Sequence, residues 1–262
     1  NKGQSPSNFD PYHLTVYGLY DYKNEPEFKR MPDDVAASVS DGVKRLARCT
    51  AGGRVRFSTT SRHIAIRALM PSVSHHSHMP LTGDAGFDLF VEEPTFRLYR
   101  YAKTFVPPYD MTNGFVSRFE FPDSRLRYIT IHFPCYNPLI SLEIGLDPDS
   151  ELGEGLDYRS ELPIVYYGSS ITQGGCASRP GNVYQNIVSR ALELDHINLG
   201  FSGNGKGEDE IVDYMKSLDM YAFVCDYDHN AATIADLERT HLRMYKKIRE
   251  AHPNIPYIIM SK

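Results

Sequence analysis

Apolar and polar positions keep one rhythm up to about residue 150 and another after residue 160. In the first stretch, short runs alternate with period two: "GRVRFSTT", "RHIAIRALM", "GFDLFVEE", "FRLYRYAKTFV", "GFVSRFEF", "RLRYITIHF" and "LISLEIGL". Gly, Pro, Asp or Asn stands between them, which is the pattern of an antiparallel β-sandwich. "DPDSELGEGLDYRSELP" then lacks apolar periodicity and reads as a linker, so a boundary is predicted near Gly153, with residues 1–152 forming a sandwich. Beyond it the rhythm becomes strand, loop, helix: "PIVYYG", "GNVYQNIVSRALE", "HINLG", "EDEIVDYMKSL", "YAFVCDY", "IADLERTHLRMYKKIREA" and "IPYIIMS". Alternating elements of these lengths predict an α/β unit over residues 153–262, a parallel sheet with helices on both faces.

In such a sheet ligands gather outside the carboxyl ends of the strands, so the loops after the first three strands are the places to look. The first is "GSSIT", where a serine at a tight strand-to-helix turn presents its hydroxyl and backbone N–H together, a geometry suited to a nucleophile. The general G-x-S-x-G nucleophile motif fails, because Thr172 stands two beyond Ser170. Taken alone, Gly-Ser-Ser is explained as readily by a turn that caps a helix. The second loop, "NLGFSGNGKGEDE", carries glycines at 200, 203, 205 and 207 that leave backbone amides open to an anion. It nearly spells a phosphate loop with Lys206 in place, but Gly207 stands where a magnesium-binding hydroxyl belongs. The third, "CDYDHNA", brings Asp226, Asp228, His229 and Asn230 to the same edge. Ser170, Gly203 and Asn230 together supply a nucleophile with two backbone amides and a carboxamide for an oxyanion.

These blocks, "YYGSSITQGGCASRPG", "NLGFSGNGKGE" and "DYDHN", resemble the SGNH or GDSL-type hydrolases, in the branch whose first block has Ser in place of the namesake Asp. The resemblance covers residues 163–262 and implies that Ser170 attacks an ester carbonyl, with its own amide, Gly203 and Asn230 forming the oxyanion hole. "AGFDLFVEEP" at residues 85–94 resembles the β-rich module that precedes this branch, where Asp88 is expected to be structural. The family draws its general base from a late block, Asp followed by His, lying beyond the fourth strand. No residue here matches that block, so the base is expected beyond Lys262. The implied reaction is hydrolysis of a small acyl ester through an acyl-enzyme, with no metal or organic cofactor and an acylated carbohydrate as the preferred substrate class. The runner-up is a degenerate hydrolase fold that binds a carbohydrate or nucleotide without turnover.

Composition narrows the partners further. Net charge is −5 and no block of Lys or Arg stands out, so the electrostatic footprint of a nucleic-acid or membrane-surface binder is missing. No apolar run reaches the roughly 18 residues needed to span a bilayer. The polar start "NKGQSPSNFD" is not a signal peptide, though it fits a chain that follows a removed one, so the compartment stays open. Cys49, Cys135, Cys176 and Cys225 are scattered singly and read mostly as free, buried thiols. "HHSH" at residues 75–78 invites a metal but sits in a Pro-flanked loop with no supporting carboxylate expected nearby, and the Asp226/Asp228 pair is explained as well by capping and loop solvation. Arg179 and His229 are the candidate substrate contacts, Arg179 because a guanidinium fork suits polar ligands.

Overall fold

The structure, a computed structural model, describes residues 14–95 and 98–261. In the amino-terminal part the elements run β1 (Thr15–Tyr17), α1 (Asp33–Val39), α2 (Asp41–Leu46), β2 (Arg54–Thr59), β3 (His63–Leu69), α3 (Leu81–Asp84), β4 (Phe87–Glu93), β5 (Leu98–Phe105), β6 (Phe115–Glu120), β7 (Arg127–His132), β8 (Ser141–Gly145) and β9 (Leu152–Glu154). They build two antiparallel sheets. The larger has the order β1-β2-β7-β4-β5, with β9 also on β2, and the smaller is β6-β3-β8.

The period-two alternation shows directly in β3, where Ile64, Ile66 and Ala68 are buried and His63, Ala65, Arg67 and Leu69 are not. The buried set packs with Phe57, Phe87, Leu89, Phe105, Ile129 and Ile131 of the larger sheet in one core. Each such side chain withdrawn from water contributes about 1.5–3 kcal/mol before entropy is charged against it. β2 departs from the pattern, because all six of its residues are buried. Val55 and Phe57 face the core, while Arg54 and Arg56 occupy the opposite face and meet the carboxyl-terminal half. Arg54 pairs with Asp195 and donates to the Tyr158 hydroxyl at 2.7 Å, and Arg56 pairs with Glu92 at 2.7 Å.

The second half runs β10 (Ile164–Gly168), α4 (Ser170–Gln173), α5 (Tyr184–Leu192), β11 (His196–Gly200), α6 (Asp209–Lys216), β12 (Ala222–Asp226), α7 (Ile234–Ala251) and β13 (Tyr257–Ile259). Its sheet is parallel throughout, in the order β11-β10-β12-β13. Both faces of the central strands are covered. Ile164, Tyr166, Ala222 and Val224 pack on one side with Tyr184 of α5. On the other side Val165, Tyr167, Phe223 and Cys225 pack with Ile211, Val212 and Met215 of α6 and Met244 and Ile248 of α7.

Met31, Ala36, Val43 and Leu46 join that second core, so α1 and α2 lie between the antiparallel strands β1 and β2 in sequence but pack against the parallel sheet. Arg30, 1% exposed, fastens them there. Its guanidinium donates to the carbonyls of Asn198 at 3.0 Å, Gly200 at 2.7 Å and Leu46 at 2.7 Å, and lies 4.6 Å over the Phe201 ring. A buried guanidinium is tolerated when its donors are met by carbonyls. Burial lowers its pKa to about 10.

Candidate active site

Strand register aligns the three loops. Gly168 of β10 lies beside Gly200 of β11 and Asp226 of β12, so the chain leaves all three strands at one edge. The crossing is tight. A Cβ at Gly168 would sit 2.1 Å from Thr172 Oγ1 and 2.3 Å from the Asp226 carbonyl, and one at Gly205 would sit 2.4 Å from the Gly168 carbonyl. Glycine stands there because the neighbouring loops leave no room for a side chain.

The two serines of "GSSIT" divide the work. Ser169 is fully buried, and its hydroxyl accepts the Ile171 N–H at 3.2 Å, the N-cap of α4. Its own N–H donates to the Asp226 carbonyl at 3.0 Å. Ser170 is half-buried, and among the described residues neither its hydroxyl nor its N–H has a hydrogen-bond partner. Its carbonyl is held, by the amides of Gly174 at 3.1 Å and Gly175 at 2.7 Å and by the Tyr136 hydroxyl at 3.1 Å.

The second loop shows the same division. Asn204 and Gly205 donate to the Phe201 carbonyl, Ser202 to Gln173 Oε1, Lys206 to Glu208 and Gly207 to the Tyr167 hydroxyl. Across residues 201–207 the Gly203 N–H alone is left without a partner among the described residues. Gly203 has φ +69° and is exposed, which a glycine adopts without strain. A phosphate loop needs several free amides in succession, and here all but one are satisfied internally.

Asn230 reaches the same place, but not as the sequence suggests. Its carboxamide donates to the carbonyls of Phe201 at 3.1 Å and Gly205 at 3.2 Å, so both N–H groups brace the loop that carries Gly203. His229 is exposed, and no imidazole hydrogen-bonds Ser170 among the described residues. Asp226, Asp228 and His229 each place one donor atom within 4.8 Å of the others. Asp226 also accepts from Thr172 Oγ1 at 3.1 Å, and burial raises its pKa.

Arg179 turns toward the amino-terminal half. It pairs with the buried Asp88 at 3.2 Å and lies 4.1 Å over the Tyr101 ring. Asp88 also accepts the Gly181 N–H at 2.8 Å and the Thr104 hydroxyl at 2.5 Å. Burial raises its carboxyl pKa. Pro180 opens a short 3-10 turn, Pro180–Asn182, and α5 follows only at Tyr184. Cys176 is exposed rather than packed, on a left-handed backbone at φ +62°, whereas Cys49, Cys135 and Cys225 are buried.

Two site residues carried no signal of their own in the sequence. Gln173, fully buried, receives the Ser202 N–H at 2.9 Å and donates to the Cys135 carbonyl at 3.2 Å, tying the first and second loops to the amino-terminal half. Tyr136 touches the Ser170 carbonyl and also hydrogen-bonds the Ser202 side chain. Burial pushes its pKa to about 12, so it stays a neutral donor.

Residues 8–152 match the model for the GxDLY amino terminus of SGNH-hydrolase-type esterases, and residues 161–262 match that of the GDSL-like lipase/acylhydrolase family. The chain belongs to the SGNH-type esterases. The signature of the first model falls on Gly86, Asp88 and Leu89, with Phe90 in place of Tyr, and it is this Asp88 that grips the loop after Ser170. Among solved structures, this SGNH-type chain is similar to a GDSL-like lipase candidate from Bacteroides ovatus, 27% identical with TM-score 0.86, over 95% of this chain and 72% of that one. It also shares its fold with a salicylyl-acyltransferase from a tetracycline biosynthetic pathway, 20% identical with TM-score 0.73, over 97% and 70% of the two chains. A family two carbohydrate esterase from Clostridium thermocellum in complex with cellohexaose shares the fold at 11% identity and TM-score 0.58, over 94% and 76%. No curated protein sequence matches significantly.

Proposed function

We propose that this protein is a serine esterase in which Ser170 forms an acyl-enzyme on a small acyl ester. The observation that carries the reading is the division between the serines: Ser169 is spent on the helix cap, while Ser170 keeps a free hydroxyl and N–H. Ser170 Oγ adds to the ester carbonyl carbon and loses its proton to a base, and the carbonyl oxygen takes the negative charge. The Ser170 and Gly203 amides receive that charge, and Asn230 contributes by exchanging one loop carbonyl for the oxyanion. Collapse breaks the C–O bond, the alcohol leaves with a proton, and water repeats the sequence on the acyl-enzyme. An O-acylated carbohydrate is the substrate class we infer, supported by the fold shared with carbohydrate esterases.

A second reading, a carbohydrate-binding module without turnover, draws on one observation: no imidazole hydrogen-bonds Ser170 among the described residues. A serine deprived of its base loses a factor on the order of 10⁴ in related triads. The 262 residues are therefore expected to hydrolyse a short-chain aryl acetate slowly, with free imidazole accelerating the reaction. Ser170→Ala abolishes both the rate and fluorophosphonate labelling, and Ser169→Ala retains labelling. Labelling mapped to Ser169 overturns the assignment, absence of any serine-dependent turnover favours the binding module, and fast turnover indifferent to imidazole places the base within these residues.

A further inference from the structure

A cleft of about 480 Å³ opens between α2, the turn that carries His76 and the segment Tyr136–Ile140. Its volume falls in the range that holds small organic ligands. Two of its wall residues belong to the candidate active site. Tyr136 hydrogen-bonds the Ser170 carbonyl, and Ser202 directly precedes Gly203. The cleft therefore borders the nucleophile turn through these two residues.

The lining chemistry is specific. Leu46, Pro138 and Ile140 give apolar wall, while the charged groups are Arg45, Arg48 and Glu27. Glu27, the carboxylate in the lining, is offset by Arg48 at 3.6 Å. Arg45 is exposed and has no hydrogen bond or ion pair among the described residues, so its guanidinium fork is free for a ligand carboxylate. His76 is built into place by a carboxylate that is itself buried: Asp84, 1% exposed, accepts the His76 N–H at 3.0 Å and holds its Nδ1 at 2.9 Å. Asn137 bonds the Ser74 N–H at 2.7 Å and the Asp84 carbonyl at 3.0 Å, which fixes the turn. With Nδ1 committed, Nε2 is the nitrogen left for a ligand, and the imidazole ring lies 5.2 Å from Tyr136.

We infer that this cleft is a substrate subsite selecting a carboxylate-bearing ester, with Arg45 and His76 as the recognising groups. The inference rests on the esterase reading for the position of the scissile bond, but not for the binding itself. Two probes isolate the charge: the succinic half-ester of 4-nitrophenol and 4-nitrophenyl butyrate, which differ by a carboxylate in place of a methyl group. Hydrolysis in the presence of imidazole is expected to favour the charged ester in kcat/KM. Arg45→Ala reduces that preference about tenfold, through KM, the scale of one charge-assisted hydrogen bond. His76→Gln reduces it in the same direction. Calorimetric binding of methyl hemisuccinate to Ser170→Ala, lost on adding Arg45→Ala, reads the subsite without turnover. Arg45-dependent binding in a protein that hydrolyses neither ester sustains the subsite and overturns the esterase. Hydrolysis of both esters with equal kcat/KM, unchanged in Arg45→Ala, overturns the subsite and leaves the esterase standing.

Discussion

At the residue scale, what distinguishes the site is which polar groups are left over. Backbone amides and hydroxyls in a folded protein are nearly all paired, so the Ser170 hydroxyl, its N–H and the Gly203 N–H stand out because their neighbours are satisfied. Asn230 is the residue on which the expectation from sequence and the geometry differ most. A carboxamide that braces the second loop holds Gly203 in position, and it serves as an oxyanion donor only by giving up one bond of 3.1–3.2 Å. Both roles predict a rate loss in Asn230→Ala, on the order of 10²- to 10³-fold in kcat, the usual cost of one oxyanion donor. The measurement is kcat on an aryl acetate with imidazole present, alongside circular dichroism to check the fold. Near-unchanged turnover would remove Asn230 from the mechanism.

Between elements, the connection that matters is the one from β4 to the turn after α4. Asp88, buried in the sheet face, collects a hydroxyl from β5 and a backbone amide and a guanidinium from the turn at Arg179 and Gly181. Removing the carboxylate leaves the Gly181 N–H without its acceptor and Arg179 without its counter-charge. Breaking a buried pair from one side is costly, so Asp88→Ala is expected to lower stability by about 3 kcal/mol, at the low end because Arg179 keeps part of its surface in water. The shift in urea midpoint at constant slope measures it. A loss below about 0.5 kcal/mol, the scale of an ordinary surface substitution, would contradict the clamp. "GFDLF" was legible in the sequence as a family likeness, but Gly181 lies 93 residues beyond Asp88, and nothing in local pattern points to it or to Arg179.

For the whole molecule, the seam between the two halves contributes to the response to pH. His132 and His196 are both buried there, and burial first, then Arg190 for His132 and Arg54 for His196, pushes their pKa values well below the ordinary histidine range. Each is neutral in the folded chain, whereas in the unfolded chain it takes up a proton as pH falls through about 6.5. The unfolded state then binds more protons, so this contribution is intact above that pH and is lost as pH falls below it. Thermal unfolding is expected to show Tm dropping between pH 7 and pH 5, with a shallower drop in His132→Gln. An identical slope in the variant would show that the imidazole titrates the same way in both states.

Period-two and period-3.6 patterning, together with the strand-end loops, was enough to place the antiparallel strands, the parallel βα succession and the three loops that carry Ser170, Gly203 and Asn230. Those features are local, set by which side chains can alternate on a pleat or line one face of a helix. The short strands β1 and β9 and the helices α1 and α2 escaped that reading, since three-residue edges and six- to seven-residue helices carry too little periodicity. Tertiary structure alone decided the rest. It buried the polar face of β2, with Arg54 and Arg56, against the second half, assigned the cap to Ser169 and the free hydroxyl to Ser170, and turned Arg179 from solvent to Asp88. Each of these outcomes depends on a partner distant in sequence, and whether a polar group is spent or left free is decided only when the chain brings its competitors within hydrogen-bond distance.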